Sequence, residues 1–226
     1  MKTFALAASA AAAALLGTSA QAAIFISFDG STTAYSQGAD DVFEFTADCG
    51  VAGGDCGGFE TVTVEGNAPM LRPGLLHSDT VSVNERDSGA ADLTIWVTRT
   101  GLTSLGDVFF SSFTSNNLGG GISVDMETLI SDSNELFGGV SLAGFSHSGN
   151  GADSLNVFSH FDTGAGTYSV TQRYTISAAA AAGDRSASPT ITLGAIPEPG
   201  TWALMILGFG GAGAMLRRRG SRALAA

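Results

Sequence analysis

Leu93-Thr94-Ile95-Trp96-Val97-Thr98 sets apolar residues at every second position, and that period of two decides the fold. Side chains of an extended strand point alternately to opposite faces, so Leu93, Ile95 and Val97 share one face and Trp96 stands on the other. The same alternation recurs at Val62/Val64, Val81/Val83, Ile122/Val124/Met126, and Tyr168/Val170 with Tyr174/Ile176. Ile24 to Phe28, Val42 to Phe45, Val108 to Phe113 and Leu155 to Phe161 are further strand candidates. Gly66-Asn67, Asp87-Ser88-Gly89, Asn116-Asn117 with Gly119 to Gly121, and Gly149-Asn150-Gly151 punctuate them as turns. About nine or ten strands, with a turn signal every dozen residues or so, predict an all-β fold: an antiparallel β-sandwich or jelly roll. One short helix is expected near Glu127 to Phe137, where Leu129, Ile130 and Leu136 can share a face. No solenoid-type repeat is visible.

The ends of the chain differ in kind from this middle. Met1-Lys2, the apolar run from Phe4 to Leu16 and the small-x-small site Ala20-Gln21-Ala22 read as a signal peptide, cleaved before Ala23. At the other end Ile196-Pro197-Glu198-Pro199-Gly200-Thr201-Trp202-Ala203 leads into an apolar segment, followed by Arg217-Arg218-Arg219. Trp202 to Leu216 is 15 residues, roughly 22 Å as a helix. That is short for a bilayer core of about 30 Å, and four glycines weaken it further. The arginines should stay cytoplasmic, which puts Trp202 at the outer interface. Two prolines hold the backbone extended just outside, in a form that a protease groove can bind.

This combination of motif, short helix, basic cluster and terminal position resembles the PEP-CTERM sorting signal, in the variant where Trp-Ala follows Pro-Glu-Pro. The resemblance implies an exported protein cut near Pro197-Glu198-Pro199 by an exosortase, an integral-membrane protease, on its way to the cell surface or extracellular space. It also implies a role among exopolysaccharide-producing cells. The expected organisation is a signal peptide at 1–22, an ectodomain at 23–177, a flexible spacer at 178–195 and the sorting signal at 196–226. A single-span anchor that is never cut is the alternative for the tail.

The body from Ala23 to Ala195 holds 20 acidic and 5 basic residues, a net charge of −15. Such a surface repels nucleic acid and anionic membranes, so neither is expected as a partner. Hard cations are a second use for carboxylates, with Asp40-Asp41 and Glu44 as the nearest cluster. No calcium-loop motif supports it, so no cofactor is assigned and calcium stands as the minor alternative. Cys49 and Cys56 are the only cysteines. In an exported chain they are expected to form a disulfide that closes a glycine-rich loop, worth roughly 2–3 kcal/mol by the chain-entropy estimate.

No catalytic motif emerges. His77, His147 and His160 lack zinc-hydrolase spacing, and Gly144-Phe145-Ser146-His147-Ser148-Gly149 does not match a nucleophile elbow. His160 and Asp162 share a strand face but read as a solvated edge. Twenty acidic residues contain many possible glycosidase pairs, and nothing selects one. The chain is expected not to be an enzyme. Its body is expected to be structural or adhesive, in biofilm or exopolysaccharide organisation, with a glycan-binding module or carbohydrate-active enzyme as the rival. Trp96 and Tyr35 are the aromatics singled out for glycan contact.

Overall fold

The computed structural model describes residues 23–38, 42–48, 56–67, 76–78, 81–85, 91–103, 106–180, 184–196, 203 and 206–211. Two antiparallel sheets face each other. The first has six strands: β1 (Ala23–Ser27), β2 (Tyr35–Gly38), β7 (Ala91–Thr103), β9 (Ile122–Ser131), β10 (Val140–Ser148) and β12 (Thr167–Ala178), in the order β10-β9-β12-β7-β1-β2. The second has eight: β3 (Val42–Asp48), β4 (Thr61–Asn67), β5 (Leu76–Ser78), β6 (Val81–Glu85), β8 (Val108–Leu118), β11 (Gly151–His160), β13 (Arg185–Ala187) and β14 (Thr190–Ile196). β13 and β14 follow one another along the same edge of β8, whose other edge carries β11.

The alternation read from Leu93 to Thr98 holds in space. Leu93, Ile95 and Val97 are buried between the sheets, together with Val124, Met126, Tyr174 and Ile176 from neighbouring strands. Val62, Val64, Phe109, Phe113, Ile191 and Leu193 meet them from the second sheet. Tyr168 and Phe109 cross the gap edge to face with centroids 6.1 Å apart. Burial of these side chains, each worth roughly 1.5–3 kcal/mol, is the main force holding the sheets together.

Polar links add direction to that packing. The Gln172 side-chain amide, fully buried on β12, donates to the Leu76 carbonyl of β5 at 2.8 Å and to the Ile191 carbonyl of β14 at 3.0 Å. The Tyr174 hydroxyl accepts the Ile191 N–H at 3.1 Å. Two side chains of the first sheet thus satisfy backbone groups of the second.

Two expectations give way. The segment expected as a helix from Glu127 to Phe137 is the end of β9 followed by a loop. Asn134 and Phe137 sit at φ 58° and 55°, incompatible with a right-handed helix. The loop is held by its own polar atoms: Asn134 Oδ1 accepts the Gly101 N–H at 2.8 Å, and the Phe137 N–H donates to Thr98 Oγ1 at 3.2 Å. The spacer expected at 178–195 is likewise not a spacer, since β13 lies within it and β14 fills its end from Thr190 onward. Ala187, Ile191 and Leu193 have no exposed surface, so this stretch is core. Its alternation, Ile191/Leu193 against Thr190/Thr192, was short enough to be hidden beside the alanine run.

Candidate functional site

A sandwich can offer a ligand its two outer faces, its rims and its loops. On the first sheet one row of register partners crosses the outer face: Ser27 on β1, Trp96 on β7, Arg173 on β12, Glu127 on β9 and Gly144 on β10. The Arg173 guanidinium lies over the Trp96 ring, 5.2 Å from its centroid, and pairs with the Glu127 carboxylate. From the other side the turn between β1 and β2 approaches the indole. Gly30 has φ +72°, and a Cβ there would come within 3.0 Å of the ring. Glycine suits both demands, the left-handed backbone and the close approach.

That turn is built around Asp29. Its carboxylate accepts the Thr32 and Ser31 N–H groups at 2.6 and 2.7 Å and the Ser27 hydroxyl at 2.9 Å. These bonds, the Thr32 N–H foremost and then Ser31, hold its pKa well below the usual carboxylate range. Trp96 therefore has its indole engaged between a turn and an arginine and is only half-buried at its margin. Tyr35, the other aromatic expected to meet a glycan, starts β2. It is half-buried, packs on Phe45 at 5.3 Å, and gives its hydroxyl to Gln37 Oε1. Neither ring is presented as a free platform.

The missing side chain of Gly144 leaves an open cleft of about 240 Å³ beside this row, lined by Asp125, Glu127, Ser146, Arg173 and Thr175 among others. Its carboxylates are already engaged: Ser146 Oγ donates to Asp125 and Arg173 pairs with Glu127. Ser146 and His147 are adjacent on β10 and so lie on opposite faces, which rules out a hydrogen-bonded nucleophile–base pair. His147 instead sits 3.8 Å from Asp153 and bonds the Gly151 carbonyl at 3.1 Å. Asp162 caps its own turn through the Gly164 N–H at 2.8 Å, close to His160 at the end of β11. Among the described residues no group of three or more His, Cys, Asp or Glu side chains could hold a metal ion. Asp40 and Asp41 lie outside the described residues.

The outer face of the second sheet is different. Across β11, β8 and β14, four registered rows run Ser154–Thr114–Thr190, Asn156–Ser112–Thr192, Phe158–Phe110–Gly194 and His160–Val108–Ile196. Phe158 is 66% exposed, and its ring lies 5.1 Å from that of the half-buried Phe110 at 47°. Gly194 puts no side chain beside Phe110. Further along the strands Thr114, Asn116, Asp153, Ser154 and Ser188 line an open cleft of about 380 Å³. Hydroxyls and an amide thus continue the strip that the two rings begin. Sequence reading missed this face because Phe158 alternates with Leu155, Val157 and Phe161 and looks like one more core residue. The signal lay in the partner strand, where Phe109 and Phe110 are adjacent and one of them must face outward.

Several expected residues fall outside what is described: Ala20, Ala22, Cys49, Pro197, Glu198, Pro199, Trp202, Arg217, Arg218 and Arg219. Ala23 opens β1, Cys56 is buried, and Ala203 with 206–211 is helical and exposed. No helix among the described residues is long and apolar enough to cross a membrane.

Among solved structures the chain is similar to TmCBM61 in complex with beta-1,4-galactotriose, at 13% identity and a TM-score of 0.34, over 77% of this chain and 88% of that one. A second likeness is to TmCBM27, described for specific mannan recognition: 11% identity, TM-score 0.30, 69% of this chain and 90% of that one. A third is to the enzymatically active domain of tailspike protein 4 of bacteriophage CBA120: 12% identity, TM-score 0.27, 78% of this chain and 20% of that one. Likenesses this distant assign neither ligand nor activity to this chain. No curated protein matches it. What is matched is the tail: residues 195–219 are a PEP-CTERM protein-sorting motif, the mark of an exported protein routed by way of the membrane.

Proposed function

We propose that this chain is an exported surface protein whose tail is removed by an exosortase-type protease. Its sandwich then serves a structural or adhesive role in biofilm or exopolysaccharide organisation at the cell surface or outside the cell. The sorting motif at 195–219 carries the first half of this reading. The intact mass of the protein recovered from its native cell surface tests it. A chain from Ala23 to the neighbourhood of Pro197-Glu198-Pro199 is expected, two hydrogens light if Cys49 and Cys56 are bonded. A chain still ending at Ala226 would leave an uncleaved membrane-anchored domain instead.

The phenylalanine pair, with Phe158 exposed beside the half-buried Phe110, favours a second reading, contact with a glycan. Sugar rings present C–H faces to aromatic rings and hydroxyls to polar side chains. The strip from Phe158 and Phe110 to Ser112, Thr192, Asn156 and Thr114 offers both. No charged side chain belongs to those three rows, and the body carries −15, which together favour a neutral glycan. Retention on a neutral-glycan array, lost in Phe158→Ala, is the expected result. Retention on an acidic glycan in excess chelator would count against it.

A further inference from the structure

The sorting motif and the sheet overlap. The match begins at residue 195, whereas β14 runs to Ile196, so the first two residues of the motif are the last two of the sheet. β14 is registered against β8 over its whole length, from Thr190 opposite Thr114 to Ile196 opposite Val108. Ile191, Thr192 and Leu193 are also registered against β5 on the other side. Ile191 and Leu193 are fully buried, and the Ile191 N–H and carbonyl are bonded to Tyr174 and Gln172 of the opposite sheet. From Gly194 onward β14 pairs with β8 alone among the described residues.

A protease that takes its substrate as an extended strand needs the main-chain N–H and C=O groups of that strand. From 191 to 193 the strand is registered against partner strands on both sides, and the Ile191 and Leu193 side chains are core. Drawing them into a protease groove would unmake the sandwich. From Gly194 to Ile196 one edge is still held by β8.

We infer that the sheet marks the N-terminal limit of tail removal: the cut falls on the C-terminal side of Ile196, and the mature domain keeps all of β14. This rests on the reading that a protease removes the tail. The reaction breaks one peptide C–N bond; water gives the domain a new carboxylate and the released tail a new amine. A consequence is that no described spacer separates the folded domain from the motif, so the domain is presented to the protease directly at its last strand.

The test is the C-terminal residue of the protein recovered from its native surface, read by intact mass and by fragmentation of the C-terminal peptide. The expected terminus is Ile196 or a later residue, short of the apolar segment. A product that has lost its tail but ends at Ala195 or earlier would overturn the inference while leaving tail removal intact. A product ending at Ala226 would overturn the processing reading, and this inference with it.

Discussion

The outer faces of the two sheets are built on the same plan and reach opposite ends. Each carries an aromatic row that stops at a glycine: Trp96–Arg173–Glu127–Gly144 on the first sheet, Phe158–Phe110–Gly194 on the second. On the first, the turn after β1 and the loop after β9 fold back over the surface. Thr98 and Phe137 are buried there although Thr98 points away from the core. On the second, no described loop covers the row, and Phe158 keeps 66% of its surface in contact with solvent. Exposed aromatic surface costs solubility, so a face that could have been closed as its counterpart was, and is not, is where a partner is to be sought. On the proposed glycan reading the first sheet is the scaffold and the second the offered surface.

That division has its strongest test inside the molecule. If the first sheet supports the second, removing the buried Gln172 amide should weaken the seam between β5 and β14. Gln172→Leu keeps the volume but leaves the Leu76 and Ile191 carbonyls without that donor. Each buried acceptor so left costs roughly 1–3 kcal/mol, so a loss of about 2–4 kcal/mol is expected in chemical denaturation of the exported domain. A loss under about 0.5 kcal/mol would mean that the sheets are held by apolar packing alone.

A smaller effect sharpens the contrast between faces, because two aromatic deletions should act in opposite columns. Trp96→Ala removes a half-buried indole from under Gly30 and Arg173. It should cost about 1–2 kcal/mol of stability, less than a fully buried aromatic would, and leave neutral-glycan retention unchanged. Phe158→Ala removes a solvent-facing ring, should stay within about 0.5 kcal/mol, and should abolish retention. If Trp96→Ala abolished retention while the fold persisted, the covered face would be the binding face and the division above would be reversed.

How much of this was legible beforehand follows from what each signal depends on. Alternation over Leu93 to Val97 or Tyr168 to Ile176 reports burial on one face, and the structure buries those residues as expected. The helix expected near Glu127 failed because Thr128 to Ser131 are buried on both faces of β9 once the loop at 132–139 covers it. A strand buried on both sides loses its period of two. β10 was hidden for a related reason: its outward positions are Gly144, Ser146 and Ser148, which read as loop residues. β14 is short and follows an alanine run. The alternation sets Trp96 opposite Leu93, Ile95 and Val97 but leaves open whether that second face is covered; its cover of Gly30 and Arg173 comes from elements 66 residues before it and 77 after it. No local pattern carries that, and Phe158 became a candidate only through its neighbour on β8. Charge and the terminal signals depend on composition and order alone, which is why the sorting motif was legible from its residues.

Where the two sheets meet, one side chain is expected to be better replaced. Tyr168 on β12 packs edge-on against Phe109 of β8 and has no exposed surface, yet its hydroxyl has no hydrogen-bond partner among the described residues. A buried unpaired hydroxyl is a cost that phenylalanine lacks. Burial pushes the Tyr168 pKa up to about 12, partly opposed by the Arg99 charge. In the unfolded chain a tyrosine ionises near 10. The fold therefore disfavours the phenolate: stability is whole below about pH 10 and declines as pH rises toward 12, because only the unfolded chain ionises freely there. Tyr168→Phe should be neutral to about 1 kcal/mol more stable at pH 7, and its margin over the parent should widen between pH 10 and 12. Thermal unfolding at the two pH values checks both signs at once. A variant less stable than the parent at pH 7 would mean that the hydroxyl is bonded in solution, and that the contact between the sheets at this point is polar as well as aromatic.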